Sequence, residues 1–352
     1  MARSLNPFFL AGLAAGTAAA ALAASRLLRS SPPPDGAVVL ITGGSRGLGY
    51  AIASRFGRRP VRLVLAARDR LELATAQQAL LDEHPNLNPS DFYLVDANLA
   101  EPSECKRLVN ETLDRFGRID VLVNNAGIIE VGPAELQPLD AFDRAMDLHF
   151  YGPLHILWAA LPHLRRQEPM PGWSRRAAIV NIASIGGKVA VPHMLPYSAS
   201  KFAAVGFSQG LYAELRSRGI RVLTVCPWLM RTGSHLNALF TGDASREYRW
   251  FSLLATTPGI SVSARYAARR IVRGVLRGEA EIAISPMAIL AARLGPLMPE
   301  LTVRAMAVSN YLLPQPSPGH EIPIKGIHSR DHELLPAATL GMRAAKRYNQ
   351  LG

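Results

Sequence analysis

The chain has 352 residues, 49% of them hydrophobic and 19% charged, which suits one large α/β domain with appended segments. Its 39 basic and 27 acidic residues give a net charge of +12, but no nucleic-acid-binding motif accompanies that charge. Two separately placed cysteines, Cys105 and Cys226, predict neither a disulfide framework nor a metal site. We therefore expect lipid headgroups or cofactor phosphates, not nucleic acid, as the anionic partners.

The N-terminal segment, residues 1–34, contains an uncharged apolar run from Pro7 to Ser25 and a proline run at 32–34. The apolar run is close to the ~20 residues that span a bilayer, and the arginines after it favour a cytoplasmic catalytic domain. Two alternatives stay open. Residues 21–23 resemble the cleavage site of an export signal, and the lack of acidic residues also fits an organelle transit peptide. We favour the membrane anchor.

Strand-like and helix-like segments alternate between residues 35 and 285, which predicts a single domain with a Rossmann-like, doubly wound parallel sheet. The predicted strands are 38–41, 61–66, 92–95, 119–123, 177–183, 220–225 and 280–284. The predicted helices are 50–57, 69–83, 102–116, 138–166, 197–218 and 264–277. Ser261 and Ser263 are predicted caps of the last helix. The stretch at 230–260 is interpreted either as a substrate lid or as ordinary core.

A glycine-rich turn follows the first strand. It reads Thr42-Gly43-Gly44-Ser45-Arg46-Gly47-Leu48-Gly49 and leads into a helical segment. The glycines allow the backbone to turn tightly and to approach a pyrophosphate at the N-terminus of the helix. The spacing is G-x3-G-x-G, and such a turn taken alone is a weak indication of a nucleotide site.

Tyr197 and Lys201 are four residues apart and therefore share one face of a helix. A phenol has a pKa of about 10, and a neighbouring ammonium stabilises the phenolate and lowers that pKa towards neutrality. Ser184, at the end of an apolar strand, offers a hydroxyl to the same substrate oxygen. These residues predict a proton-transfer site for a carbonyl or an alcohol, which needs a hydride carrier beside it.

Together these motifs resemble the short-chain dehydrogenase/reductase family over about residues 37–285. The resemblance implies that the glycine turn holds a dinucleotide and that Asp96 contacts its adenine. It also implies that the Asn124-Asn125-Ala126-Gly127 motif closes the fourth strand and that Pro227 and Thr232 lie beside the nicotinamide. Ser184, Tyr197 and Lys201 match the catalytic positions of the family, and Lys201 is implied to bind the nicotinamide ribose as well.

Two positions depart from the family pattern. His149 stands where the family usually has an Asn that holds a water linked to the Lys. An imidazole can also carry a proton, so His149 is interpreted either as part of that relay or as a packing residue. Trp228 replaces the Gly that usually follows the Pro, and it is interpreted either as narrowing the pocket near the nicotinamide or as an aromatic wall for the substrate. Neither change removes the Ser-Tyr-Lys set.

The charges near the second strand favour NADP(H) over NAD(H). An NAD site usually has an acidic residue at the end of this strand, but here the strand ends in Arg68, with no carboxylate until Asp69. Arg46 lies within the glycine turn, and two guanidinium groups suit a 2′-phosphate. The expected cofactor-binding residues are Thr42, Gly43, Ser45, Arg46, Gly47, Leu48, Gly49, Arg68, Asp96, Asn124, Ala126, Gly127, Tyr197, Lys201, Pro227 and Thr232.

The C-terminal extension, residues 286–352, begins with an apolar pattern from Pro286 to Leu313. This pattern predicts amphipathic helices that lie on a membrane, cover the pocket mouth or pack on a partner subunit, or else a helical cap on the chain's own core. The last thirty residues are expected to form a mobile polar tail.

The predicted activity is hydride transfer between NADP(H) and a carbonyl or secondary alcohol, with Tyr197 exchanging the proton and Ser184 orienting the oxygen. The anchor and the apolar lid point to a lipophilic substrate such as a steroid, a retinoid or a long-chain 3-oxoacyl compound. The family resemblance implies a homodimer or homotetramer formed through helices 138–166 and 197–218. The alternative is a non-catalytic NADP-binding redox sensor or scaffold, for which His149 and Trp228 are the support.

Overall fold

The computed structural model describes residues 33–316, 322–329 and 335–351, without the side chains of 335–338. The predicted membrane segment at 7–25 lies outside these residues. Within the described ranges, no helix combines the length and the apolar character that crossing a bilayer requires.

A parallel sheet of seven strands forms the centre of the fold, in the order β7-β6-β5-β4-β1-β2-β3. The strands are β1 (Val38–Thr42), β2 (Arg62–Ala67), β3 (Phe92–Asp96), β4 (Val121–Asn124), β5 (Ala177–Ile182), β6 (Ile220–Pro227) and β7 (Glu281–Ile284). Every residue of β1 is buried, because helices cover both faces of the sheet. β1 pairs with both β2 and β4, so the topological switch point, where such sheets bind ligands, lies at the end of β1.

Helices cover the two faces of the sheet and confirm the predicted α/β fold. They are α1 (Gly47–Phe56), α2 (Arg70–Glu83), α3 (Pro102–Phe116), α4 (Leu139–Met146), α5 (Gly152–Leu164), α6 (Leu195–Leu215), α7 (Ala244–Thr256), α8 (Ala264–Arg277), α9 (Pro286–Leu297), α10 (Pro299–Asn310) and α11 (Leu335–Arg347). Helices α1, α2 and α8 bury one apolar face against the sheet. Helices α3, α5 and α6 bury theirs on the opposite side.

The helix caps follow the sequence in part. The Ser263 hydroxyl accepts a hydrogen bond from the amide of Tyr266, which confirms it as the cap of α8. Ser261 is not a cap, because its hydroxyl donates to the carbonyl of Thr257 and receives a hydrogen bond from Arg231.

The helix predicted over 138–166 is interrupted by a wide π turn, Asp147–Tyr151, between α4 and α5. Gly152 follows the turn and lies so close to the carbonyl of Leu99 that a Cβ would be 2.7 Å from that oxygen. His149 lies within the turn and is buried. Such turns insert one extra residue into a helix and frequently occur at functional sites.

The aromatic stretch near α7 forms a core of its own. Phe240, Tyr248 and Phe251 are almost completely buried and pack with residues such as Met194. The Glu247 carboxylate lies beside this cluster and contacts two side chains. It accepts a hydrogen bond from Trp250 Nε1 at 2.6 Å and lies 2.8 Å from His193 Nδ1. Of the two interpretations of the stretch at 230–260, ordinary core is therefore the one that fits these three aromatic side chains.

The C-terminal extension consists of helices with two different surroundings. Helices α9 and α10 leave apolar side chains exposed, among them Leu290, Leu294, Leu297, Leu301, Val308, Tyr311 and Leu312. Helix α11, by contrast, packs against α7. Its Ala345 also lies close to Gly233, because a Cβ on Gly233 would be 2.5 Å from the Ala345 Cα. Residues 335–350 thus differ from the mobile tail predicted from sequence, because small residues allow this close packing.

Candidate active site

The glycine turn has the backbone conformation that its sequence predicts. Gly43 and Gly47 have φ angles of 62° and 60°, in the left-handed region that favours glycine. A Cβ on Gly49 would lie 2.0 Å from the carbonyl oxygen of Gly43, so only glycine fits there. The turn leads directly into α1, and the first amide groups of α1 have no hydrogen-bond acceptor within the helix. These amides suit the oxygens of a pyrophosphate.

The Asn124-Asn125-Ala126-Gly127 motif joins the end of β4 to this turn. The Thr42 hydroxyl accepts hydrogen bonds from the amides of Asn125 and Ala126 at 2.9 and 3.1 Å. The Asn125 side chain donates to the carbonyls of Thr42 and Gly43 at 2.9 and 3.1 Å. Asn124 donates to Asn181 on β5 at 2.8 Å. The motif therefore holds the two strand ends at the switch point together.

The charged groups around the turn are only partly those that the sequence identifies. Arg46 forms an ion pair with Glu72 at 3.0 Å, and the Ser45 hydroxyl donates to the other Glu72 oxygen. Glu72 lies on the first turn of α2, a position that no motif marks. Arg68 at the end of β2 is exposed and has no ion-pair partner among the described residues. The Asp69 carboxylate caps α2 by accepting from two of its amides.

Asp96, the residue expected near the adenine, is exposed at the end of β3. Its carboxylate lies 3.6 Å from the Arg70 guanidinium. Since β3 is the edge strand next to β2, Asp96 lies on the same edge of the sheet as Arg68.

Ser184, Tyr197 and Lys201 come together at the end of β5. Gly186 lies between two of them, because a Cβ there would be 3.2 Å from Tyr197 Cε1 and 3.4 Å from Ser184 Oγ. The Lys201 ammonium donates to the carbonyl of Ile182, the last residue of β5, at 3.0 Å. It lies 5.6 Å from the centre of the Tyr197 ring. The structure thus brings all three predicted side chains into one small volume.

Burial dominates the electrostatics of this volume. It raises the pKa of Tyr197 above its usual 10.0, although a hydrogen bond with the Ser184 hydroxyl acts in the opposite direction. Burial also lowers the pKa of Lys201 from 10.5 to about 7. The sequence predicts instead that the ammonium lowers the pKa of Tyr197. That prediction differs from the structure because burial disfavours the charged form of each group. Near neutral pH Tyr197 therefore keeps its proton and is a proton donor.

His149 is held by hydrogen bonds at both ring nitrogens. Nε2 accepts from the amide of Ile128 at 3.1 Å, so the ring proton is on Nδ1, which donates to the Ser200 hydroxyl at 2.8 Å. Ser200 in turn donates to the carbonyl of Tyr197 at 2.9 Å. Burial and the charge of Lys201 hold the pKa of His149 well below its usual 6.5. The imidazole is therefore neutral, and it supports the backbone of Tyr197.

Gly127, the last residue of the asparagine motif, makes room for this imidazole. A Cβ on Gly127 would lie 3.0 Å from His149 Nε2. The His149 and Tyr197 rings meet edge to face, with 5.4 Å between their centres. Ser200, which completes the contact, was not identified from sequence, although it is part of the Tyr-Ser-Ala-Ser-Lys stretch.

Trp228 directly follows Pro227, the last residue of β6. Its backbone amide donates to the carbonyl of Ile284 at 3.3 Å. Its indole N–H is buried and has no hydrogen-bond partner in the described part of the chain, so a donor remains beside the site. Thr232, further along the same loop, is buried, and its hydroxyl accepts from the amide of Ser234.

The end of the chain lies on the glycine turn, a contact that no sequence signal indicates. The Gly47 amide donates to the carbonyl of Tyr348 at 2.8 Å. Asn349 donates to the carbonyl of Ser45 at 3.0 Å, and Asn237 donates to the Gln350 side chain at 2.8 Å. A Cβ on Gly47 would lie 2.6 Å from Gln350 Nε2. The C-terminal residues therefore use one of the amides that suit a phosphate.

The site as a whole combines helix-terminal amides for a phosphate, at the end of β1, with the Ser184 hydroxyl, the half-buried Tyr197 phenol and the Lys201 ammonium at the end of β5, two strands away. Both parts lie at the carboxyl ends of parallel strands. Phosphate binding beside a protonated phenol is the arrangement required by a dinucleotide-dependent reaction at a carbonyl or alcohol.

Comparisons with known proteins agree with this geometry. A family described as short chain dehydrogenase matches residues 37–238. The "Dehydrogenase/reductase SDR family protein 7-like" of Anopheles gambiae is 33% identical over 72% of this chain and 76% of its own length. The "11-beta-hydroxysteroid dehydrogenase-like 4A" of Arabidopsis thaliana is 32% identical over 75% of this chain and 82% of its own length.

Solved structures show the same relationship. A short-chain dehydrogenase from Streptomyces avermitilis superposes with a TM-score of 0.61 at 26% identity, covering 78% of this chain and 99% of its own. Levodione reductase superposes with a TM-score of 0.61 at 25% identity, covering 74% of this chain and all of its own. The chain thus belongs to the short-chain dehydrogenase/reductase family, whose members are NAD(P)-dependent oxidoreductases acting on CH–OH groups.

Proposed function

We propose that this protein transfers a hydride between NADP(H) and the carbonyl or secondary alcohol of a lipophilic molecule. The observation that carries the proposal is the convergence of Ser184, Tyr197 and Lys201 at the end of β5, beside the glycine turn. The bound dinucleotide supplies the hydride. In the direction of reduction, Tyr197 donates its proton to the substrate oxygen, and the Ser184 hydroxyl orients that oxygen.

Lys201 and His149 support Tyr197 in different ways. With a dinucleotide bound, Lys201 would help to hold its ribose, and the Lys201 ammonium would stabilise the phenolate that forms as Tyr197 gives up its proton. His149, through Ser200, holds the backbone of Tyr197 in place. The structure favours packing over a proton relay for His149, because its Nε2 is already occupied by the Ile128 amide.

The preference for NADP(H) rests on charge. Arg68 is exposed and unpaired within the described residues, and a phosphate attracts such a guanidinium. The nearest carboxylate along the chain, Asp69, caps α2. Arg46 joins Arg68 at a 2′-phosphate only if it leaves Glu72. Arg68 therefore makes the principal phosphate contact.

The same two observations support the proposal of a lipophilic substrate and the proposal of a membrane location. Helices α9 and α10 expose several large apolar side chains, and a relative carries the name of a hydroxysteroid dehydrogenase. An anchor at 7–25 would place the catalytic domain in the cytoplasm with these helices against the bilayer. Trp158 on α5 and Phe202 on α6 are also exposed, which supports a dimer or tetramer formed through these helices.

The test measures the consumption of NADPH by the full-length protein with a panel of steroid, retinoid and long-chain 3-oxo substrates. The consumption is monitored by the absorbance of NADPH. We expect turnover that Tyr197→Phe abolishes. Tyr266→Phe is the matched control, because Tyr266 is 46% exposed on α8, and it should leave turnover unchanged. NADPH binding without turnover across the panel would instead support a redox sensor. Recovery of the protein in the soluble fraction after a carbonate wash would contradict the anchor.

A further inference from the structure

A small pocket outside the active site is lined by five arginines. The cavity has a volume of about 50 Å³ and lies between α1, α8 and the end of α11. The arginines are Arg55, Arg58, Arg265, Arg269 and Arg347. Arg55 and Gly47 are about 12 Å apart along the axis of α1, because an α-helix rises about 1.5 Å per residue. The arginine side of the pocket therefore lies away from the glycine turn, although Tyr348, which also lines the pocket, accepts a hydrogen bond from the Gly47 amide.

These guanidinium groups outnumber the carboxylate that lines the pocket, Glu83, by five to one. None of the five has a carboxylate within ion-pair distance among the residues that the structure describes. The carboxylate that lines the pocket, Glu83, instead accepts a hydrogen bond from Ser54 at 3.0 Å. Arg270, the neighbour of Arg269 on α8, is by contrast paired with Glu279 at 2.5 Å.

The arginines repel one another. Burial, together with the charges of Arg58, Arg269 and Arg273, lowers the pKa of Arg55. The Nε of Arg55 is also buried without a hydrogen-bond partner in the described ranges. A buried donor without a partner costs free energy, and so does close approach of like charges. A bound anion would reduce the repulsion between the guanidinium groups.

The neighbouring hydroxyl groups suit an oxyanion as well. Tyr50 and Tyr348 line the pocket beside Ser54, whose hydroxyl proton is already donated to Glu83. Burial and Glu83 raise the pKa of Tyr50 to about 12, so its hydroxyl keeps its proton. Planar guanidinium groups bind the oxygens of phosphate through paired hydrogen bonds. The cavity is small and concave, which fits one compact tetrahedral group.

From this arrangement we propose that the arginine pocket binds a phosphate dianion, either inorganic phosphate or the phosphate monoester of a lipid headgroup. The occupant bridges α1 and α8 and touches α11 through Arg347. Such binding would stabilise the folded protein in proportion to the concentration of the anion.

The experiment measures the melting temperature of the full-length protein with increasing inorganic phosphate, with chloride adjusted to constant ionic strength and NADPH present at saturation. We expect the melting temperature to rise. In Arg55→Ala/Arg269→Ala the half-saturating phosphate concentration should increase at least about tenfold, the loss expected for charge-assisted hydrogen bonds. Arg58→Ala, at an exposed position, is a milder variant should the double variant fold poorly. Arg304→Ala on α10 is the matched control.

A second arm identifies the source of the phosphate group. Co-sedimentation with phosphatidic acid vesicles is compared with that of phosphatidylcholine vesicles, for the wild type and the double variant. Binding to phosphatidic acid that needs Arg55 and Arg269 supports the headgroup, and a phosphate-dependent rise alone supports free phosphate. No effect in either arm, or the same effect in the double variant and the wild type, would overturn the proposal.

Discussion

The contact of the C-terminal residues with the glycine turn predicts that this segment competes with the cofactor. The perturbation is the double variant Asn349→Ala/Gln350→Ala. It removes the hydrogen bonds from Asn349 to the carbonyls of Ser45 and Glu72 at 3.0 and 3.2 Å. It also removes the 2.8 Å hydrogen bond from Asn237 to the Gln350 side chain. Residues 348–350 should then leave the turn more readily.

The magnitude follows from these three hydrogen bonds. Each contributes a net ~1 kcal/mol, so the seated segment loses between about 1 and 3 kcal/mol. The measured Kd of a ligand equals its intrinsic Kd divided by the fraction of molecules that are free to bind it. We therefore expect the Kd for NADPH to fall by about fivefold to about 150-fold, on the same relation. The backbone contact between Gly47 and Tyr348 remains in this variant.

The assay is a fluorescence titration of the full-length protein with NADPH. Lys346→Ala is the matched control, because Lys346 is exposed on α11, shortly before these residues, and it should leave the Kd unchanged. A Kd that rises in the double variant would show that Asn349 and Gln350 are part of the cofactor site. An unchanged Kd would show that the segment does not compete. Either result refutes the reasoning.

Substitutions at three further residues test the charges and contacts of the site. Arg68→Ala should raise the Kd for NADPH by about 10-fold to 100-fold in titrations and leave that for NADH unchanged, because only a 2′-phosphate gains a charge-assisted hydrogen bond. His149→Ala should lower the free energy of unfolding by about 1–3 kcal/mol for each group left unpaired, in urea titrations. His149→Asn should retain kcat within about tenfold, or ~1.4 kcal/mol. Because the family uses an Asn for its relay, a large loss of kcat in His149→Ala without a loss of stability, restored in His149→Asn, would argue for a relay. Lys201→Met should raise the free energy of unfolding at pH 7 by roughly 2–4 kcal/mol in the same titrations.

The sign of the Lys201 effect follows from its pKa. Folding lowers the pKa from 10.5 to about 7, so the folded state disfavours the ammonium. The resulting loss of stability is complete below about pH 7 and disappears above about pH 10.5. The advantage of Lys201→Met should therefore shrink as the pH is raised from 7 to 10. A constant advantage across that range would contradict the account of a desolvated ammonium.

Much of the fold could be predicted because its signals are local. A fully buried strand such as Val38–Thr42 is a continuous apolar run, and helix α3 occurs at the predicted 102–116. The Ser184, Tyr197 and Lys201 cluster was also accessible from sequence, because spacing and family resemblance identify all three residues. The structure confirms that they lie together.

The remaining features depend on contacts between distant parts of the chain. The π turn at Asp147–Tyr151 places His149 against Ile128 and Ser200, and no helical periodicity marks it. The ordered end of the chain depends on small residues such as Ala345 that meet Gly233. The raised pKa of Tyr197 reflects burial, which the four-residue spacing from Lys201 does not reveal.

Hydride transfer at the Tyr197 site is the central claim, and isotope transfer tests it most directly. NADPH deuterated at both C4 positions of the nicotinamide is incubated with the full-length protein and a ketone that it turns over, and the product alcohol is analysed by mass spectrometry. We predict one deuterium on the carbinol carbon with the wild type and none with Tyr197→Phe, which should still bind NADPH. Unlabelled alcohol from the wild type, or undiminished label with Tyr197→Phe, would contradict the account.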